Sequence, residues 1–231
     1  MTSKAMKLIL TGTTGFVGQE VLTQALAHPS ITSVVALTRH PIPATFASNP
    51  KVKNVLVEDF STYTPSVLEQ LSGADACIWC IGAKSTNPNT TRKVTLDYAL
   101  AGVNAFSQLP KPESQNFRFV FTSGILAVRE GKPIYLPYAK ESRRLGGEAE
   151  TKLEEFGKGH EGLDVYIMRP SGVTAKDRSL LNSLSATFAP MIRVNELAAA
   201  MIDVAVNGGG SKTWDNRDLV SRGREVLAGM K

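Results

Sequence analysis

Thr11-Gly12-Thr13-Thr14-Gly15-Phe16-Val17-Gly18 follows directly on the apolar run 7–10. It opens a segment in which Val17, Val21, Leu22, Ala25 and Leu26 recur at helical spacing. The pattern implies a strand, a glycine turn and a helix. Without a Cβ at Gly12, Gly15 or Gly18, the backbone can turn tightly, a diphosphate can come close, and the helix can lie against its strand. The unpaired N–H groups of the helix then face an anion. Gly12, Thr13, Thr14, Gly15, Phe16, Val17 and Gly18 are therefore the candidate cradle for a dinucleotide.

The surroundings of this turn matter as much as the turn, since three glycines in seven residues also suit a plain connection. A second apolar strand, 33–38, follows about 20 residues later, as a dinucleotide-binding βαβ unit requires. Arg39 stands at its end, where an acid would bind a free ribose 2′-hydroxyl and a cation accommodates a 2′-phosphate. Arg39 thus favours NADP(H) over NAD(H), the alternative being a solvated arginine opening the loop 41–50. A third strand, 52–57, ends in Glu58-Asp59-Phe60. Asp59 and Phe60 are expected near the adenine, with Asp59 equally compatible with a solvated strand end.

Further along, a helix over 65–71 leads to a fourth strand, 75–81, and then to Gly82. The backbone of Cys80, Ile81 and Gly82 is expected beneath the cofactor. A polar loop spans 84–91, and residues 94–100 begin another helix. A fifth strand over 117–122 delivers Ser123-Gly124 to the same edge. A long helical segment covers 138–156, and a sixth strand covers 163–169. The loop 176–190 is expected to shape a substrate pocket, and 194–206 reads as the final well-defined helix, stopped by Gly208-Gly209-Gly210. Alternating strands and helices imply an α/β fold: a Rossmann-like, doubly wound parallel sheet with helices on both faces. Ligands bind such a sheet at the C-terminal edge of its strands.

With 231 residues, 42% hydrophobic and 20% charged, the chain suits a single domain, of which about 170–231 shapes the pocket. The net charge of +5 is dispersed, which suits anionic small molecules and argues against nucleic acid. No apolar stretch approaches a membrane span and no secretory signal is evident, so a soluble cytoplasmic protein is expected. Asn89-Thr90-Thr91 then reads as a polar loop rather than a glycosylation site. Cys77 and Cys80 have Cys-x-x-Cys spacing, but within a buried strand side chains three apart point to opposite faces. They read as small core residues. His28, His40 and His160 show no ligand spacing, and no metal site is expected.

The chain resembles the atypical short-chain dehydrogenase/reductases, most of all the Tat-interacting-protein branch, with NmrA-like proteins and sugar-nucleotide epimerases as more distant relatives. The resemblance rests on residues 11–18 together with Leu37-Thr38-Arg39, Asp75 through Gly82, Val94-Thr95-Leu96-Asp97-Tyr98, Phe121-Thr122-Ser123, Gly147-Glu148-Ala149-Glu150 and Met168-Arg169-Pro170. It implies an NADP(H)-binding Rossmann-like fold. In active members it also implies a Ser, a Tyr and a Lys four residues after that Tyr. Ser123 matches the first, and Tyr138 is the leading proton donor. Four residues past Tyr138 stands Ser142, and four past Tyr135 stands Ala139. Aligning on Gly147–Glu150 instead places Ser142 and Gly146 at the Tyr and Lys positions.

The missing lysine matters because its charge lowers the tyrosine's pKa and its ammonium holds the ribose. Three functions stay open on this scaffold. The leading one is an NADP(H)-dependent oxidoreductase acting on a small carbonyl or hydroxyl substrate, with Ser123 orienting the carbonyl. The others are a non-catalytic NADP(H)-binding sensor and a lyase or isomerase. A homodimer is an expectation from family analogy alone.

Overall fold

The first apolar run forms β1 (Met6–Thr11), the glycine turn leads into α1 (Phe16–Ala27), and the second run forms β2 (Ile31–Thr38). These come from a computed structural model, which describes residues 5–82, 85, 87–110, 115–134, 139–177 and 191–229. There follow a single turn of helix, α2 (Ala44–Ala47), then β3 (Val52–Leu56), α3 (Pro65–Leu71) and β4 (Ala76–Trp79). Helix α4 (Pro88–Arg92) widens into a π-turn over Lys93–Asp97 and continues as α5 (Tyr98–Ser107). Next come β5 (Phe117–Thr122), α6 (Lys140–Lys158), β6 (Leu163–Arg169), β7 (Val173–Thr174), β8 (Ile192–Arg193), α7 (Val194–Asn207), β9 (Thr213–Asp215) and α8 (Asn216–Gly229).

Among the described residues, seven strands make one sheet in the order β3-β2-β1-β4-β5-β6-β9, every pair parallel. A parallel sheet needs both faces covered, and the strand sequences show why this one is. In β4, Cys77 and Trp79 enter one apolar cluster while Ala76 and Ile78 enter the other. The first cluster joins Trp79, Phe106, Phe117, Phe119 and Leu153, and so seats α5 and α6. The second joins Leu8, Leu22, Ile78, Val120 and Met201, and so seats α1 and α7. Trp79 is fully buried, and a Cβ on Gly102 of α5 would lie 2.5 Å from its ring. That contact is why α5 carries a glycine at mid-length.

The register fixes where the loops emerge. Thr11 lies opposite Leu37 and Trp79, Trp79 opposite Phe121, and Thr122 opposite Met168. Gly12, Arg39, Cys80, Ser123 and Arg169 therefore all sit at one sheet edge. The order in which strands are added reverses between β1 and β4, which opens the crevice where this architecture takes ligands.

Several expected boundaries shift. Asn87 caps α4 by accepting the Asn89 and Thr90 N–H groups, so helix starts inside the expected loop 84–91. The segment 194–206 is not the last helix: after Gly208, whose φ is +76°, the chain adds β9 to the sheet edge and then α8. Residues 178–190, most of the expected pocket loop, lie outside the described residues, as does Tyr138. Among the described residues no helix is long and apolar enough to cross a membrane.

Candidate functional site

The glycine turn is built by close approach. Gly12 has φ +70°, and a Cβ there would meet the Cys80 carbonyl oxygen at 2.5 Å, so the turn is pressed against the end of β4. Gly15 N–H donates to the Gly12 carbonyl at 2.9 Å. A Cβ on Gly18 would lie 2.1 Å from that same oxygen. The first turn of α1 therefore rests directly on the loop.

Gln19 N–H makes a helical bond to Gly15 O at 2.9 Å, which leaves Phe16, Val17 and Gly18 without intrahelical acceptors. No side chain caps this end and its first turn holds no acid. The partial positive charge of the helix terminus is thus available to an anion. Thr13 is fully buried, and its hydroxyl has no hydrogen-bond partner among the described residues. A cradle without Cβ atoms, at a bare helix terminus in the sheet's crevice, fits the diphosphate of a dinucleotide.

Around this turn the other candidates divide. Arg39 is exposed at the end of β2, and no carboxylate among the described residues pairs with it. Asp59, at the end of β3, accepts from Lys93 Nζ at 2.8 Å and from Ser61 N–H at 2.9 Å. The Lys93 hydrogen bond holds its carboxyl well below the usual carboxylate range. Lys93 comes from the π-turn and also lies 5.6 Å from the centroid of the Tyr98 ring. Such turns recur where a helix must present a side chain out of phase. Phe60 has its side chain in the core, edge-on to Trp79 with ring centroids 6.0 Å apart, so only its backbone faces the edge. Ile81 and Gly82 follow β4 on the crevice side, Ile81 packed partly against the first apolar cluster.

Cys80 N–H donates to Thr11 Oγ1 at 3.2 Å, and its Sγ lies 3.6 Å from Thr122 Oγ1. Burial pushes its thiol up to about 12, against a smaller lowering by Thr122. Cys77, fully buried, is pushed up as well by burial and by Cys80. The thiolate is the reactive species, and both raised thiols stay protonated at pH 8. Iodoacetamide treatment of the native protein at pH 8 should leave both cysteines unmodified by mass spectrometry, with labelling only after denaturation. Rapid native labelling of Cys80 would contradict this burial.

Ser123 sits at the end of β5, its N–H bonded to Met168 O at 2.8 Å. Its hydroxyl donates to Glu150 Oε1 at 2.6 Å. Glu150, on α6, is wholly buried and carries two further partners: Arg129 Nε at 2.9 Å on Oε2 and Arg169 Nε at 3.2 Å on Oε1. Arg129 also forks onto Glu154 at 2.6 and 3.0 Å. Arg169 Nη2 donates to Ala127 O at 2.7 Å. These bonds pin the loop after β5, which presents Ile125 and Leu126 to solvent at 41% and 51% exposure.

The loop and α6 also touch directly. Val128 N–H donates to Arg143 O at 2.9 Å, a Cβ on Gly147 would lie 2.1 Å from Val128 O, and one on Gly146 would lie 3.3 Å from Ala127 Cβ. Positions 146 and 147 of α6 are therefore faced by the loop. Sequence reading quoted Glu150 and Arg169 only as parts of motifs and gave no role to Arg129 or Lys93. An arginine ending one strand beside a serine ending its neighbour, with a glutamate amid the Leu145, Ala149, Leu153 spacing, was the available signal.

Comparison with known proteins agrees with this geometry. The chain is 32% identical over 120 residues to Leucinostatins biosynthesis cluster protein T of Purpureocillium lilacinum. The aligned stretch takes in 51% of this chain and 42% of that relative, less than half its length. Vestitone reductase from alfalfa superposes with a TM-score of 0.67 at 20% identity, covering 90% of this chain and 76% of the reductase. The NADPH complex of Gre2 from Candida albicans gives 0.64 at 16% identity, covering 90% and 77%. Both likenesses establish the fold. A family model described as NAD(P)H-binding matches residues 12–207, from the first glycine of the turn to the end of α7, and the chain belongs to that family.

Proposed function

We propose that this protein is a cytoplasmic NADP(H)-dependent oxidoreductase acting on a small carbonyl or hydroxyl substrate. The observation that carries the choice of nucleotide is Arg39, exposed at the strand end beside the glycine turn and without a carboxylate partner among the described residues. Gly12, Gly15 and Gly18 allow the diphosphate to approach the N–H groups of Phe16 and Val17, while Thr13 and Thr14 line the turn. Asp59 and the backbone of Phe60 border the adenine side, and Cys80, Ile81 and Gly82 form the floor. When bound, the nicotinamide supplies or accepts a hydride. The exposed Ile125 and Leu126 give the edge near Ser123 an apolar rim, which suits a substrate with an apolar body. Tyr138 is the proton donor in this reading.

A second reading, a nucleotide-holding regulator without turnover, is favoured by Gly146 and Ala127. The family's lysine is absent, and the loop lies against the place it would start from.

A titration of the purified protein with NADPH and with NADH, followed by thermal midpoint and calorimetry, tests the nucleotide reading. A ligand bound only by the folded state raises the midpoint. NADPH should give the larger rise, and Arg39→Ala should weaken NADPH by about tenfold or more, ~1.4 kcal/mol per factor of ten, leaving NADH nearly unchanged. Equal losses for both nucleotides would remove Arg39 from the 2′-phosphate. NADPH oxidation in the presence of a carbonyl panel separates the enzyme from the regulator.

A further inference from the structure

The buried Glu150 has a consequence for what Ser123 can bind. A serine hydroxyl has one hydrogen to donate and two lone pairs to accept with. Here the hydrogen is directed at Glu150 Oε1, 2.6 Å away, the short distance of a charge-assisted O–H···O⁻ bond. The carboxylate has no solvent contact and faces two guanidiniums, Arg129 at 2.9 Å and Arg169 at 3.2 Å. An ionised carboxylate opposite two cations can only accept. Turning the Ser123 hydrogen towards the sheet edge would leave Oε1 with the longer Arg169 contact alone, inside a site water does not reach. The backbone supports the same arrangement, since Ser123 N–H is taken by Met168 O and Ile125 N–H by Pro170 O. Ser123 itself is half-buried at the sheet edge.

We infer that Glu150 is a positioning residue that fixes Ser123 as a hydrogen-bond acceptor, so the ligand group seated on Ser123 is a donor: a hydroxyl or an amine rather than a carbonyl oxygen. This rests on reading the sheet edge as the ligand site, and it reverses the role that a serine polarising a carbonyl would play. The apolar Ile125 and Leu126 beside it make the ligand an alcohol or amine on an apolar body.

Two measurements on the whole protein test this. In a neutron structure of deuterium-exchanged crystals, the Ser123 deuterium should lie on the line to Glu150 Oε1. A deuterium pointing to the sheet edge overturns the proposal. In parallel crystals soaked in 2-propanol and in acetone, the alcohol oxygen should lie within hydrogen-bond distance of Ser123 Oγ and the ketone oxygen should not. Acetone on Oγ, or neither solvent reaching it, overturns the proposal as well. In Glu150→Gln, whose amide can both donate and accept, the preference for the alcohol should fall several-fold; an unchanged preference would assign it to the pocket and not to Glu150. The wild-type neutron map decides the matter even if that variant does not fold. The NADPH and NADH titration is independent, since a failure there withdraws the nucleotide reading without moving the Ser123 deuterium.

Discussion

Glu150→Ala is expected to lower the stability of the protein by about 3 kcal/mol, the lower end of the ~3–5 kcal/mol typical of breaking a buried ion pair from one side. Three groups lose a partner at once: Ser123 Oγ, Arg129 Nε and Arg169 Nε. The cost stays near the lower end because neither arginine is abandoned. Arg129 keeps Glu154 at 2.6 Å, Arg169 keeps the Ala127 carbonyl at 2.7 Å, and their side chains are 34% and 21% exposed. For a chain of this length ~2–4 °C is lost per kcal/mol, so the thermal midpoint should fall by roughly 6–12 °C. Ser123→Ala, which removes one hydrogen bond and leaves both ion pairs, should cost about 1–2 kcal/mol. A Glu150→Ala loss no larger than that of Ser123→Ala would show that the arginines are held by their other partners alone.

Gly18→Ala is expected to cost about 1–3 kcal/mol of stability and to reduce NADPH affinity about 100-fold, ~2.7 kcal/mol of binding. The added methyl would lie 2.1 Å from Gly12 O, 2.6 Å from Gly12 C and 3.0 Å from Thr13 N, all backbone atoms with nowhere to rotate. Either the turn or the first turn of α1 must move, and both would line a diphosphate site. Gly15→Ala is the control. Its φ is −90°, which any residue adopts, and its nearest contact is Gly12 O at 3.2 Å. Its effect should be several times smaller in both measurements. Calorimetric Kd values for the two variants decide, and equal losses would detach the affinity from the approach of α1 to the turn.

What was legible in the sequence follows the range over which each signal acts. Strands buried on both faces declare themselves as continuous apolar runs, so β5 and β6 appear at 117–122 and 163–169 as expected, and α3 at 65–71. Gly15 and Gly18 were legible because what excludes a side chain there, Gly12, lies a few residues away, whereas the approach of Gly12 to Cys80 spans the first four strands of the chain. β9 escaped because three residues, Thr213–Asp215, are too few to show a period. Helix α8 escaped because its fully buried members are only Asn216, Leu219 and Gly223. Gly223 carries its own close approach, a Cβ there meeting Glu196 O at 2.1 Å, which nothing local announces.

The site shows the same division. Arg39 is placed by the end of its own strand, whereas Glu150 meets Ser123 across 27 residues and Arg129 across 21. Such pairings exist only once β5, β6 and α6 have come together. Phe60 shows the same limit: its place in the chain says nothing of its ring, which packs beside Trp79 and Tyr98 in the core.

The contact between α6 and the loop after β5 also bears on which side chains that helix can carry. Lysine at position 146 would begin 3.3 Å from Ala127 Cβ, and Ala127 is tethered through its carbonyl to Arg169. The neighbouring Gly147 admits no side chain at all against Val128 O. A side chain at 146 therefore needs the loop to give by a few tenths of an ångström, whereas one at 147 needs its backbone to move. The loop and the helix thus set each other's sequence: a larger side chain on this stretch of α6 calls for a matching change in the loop.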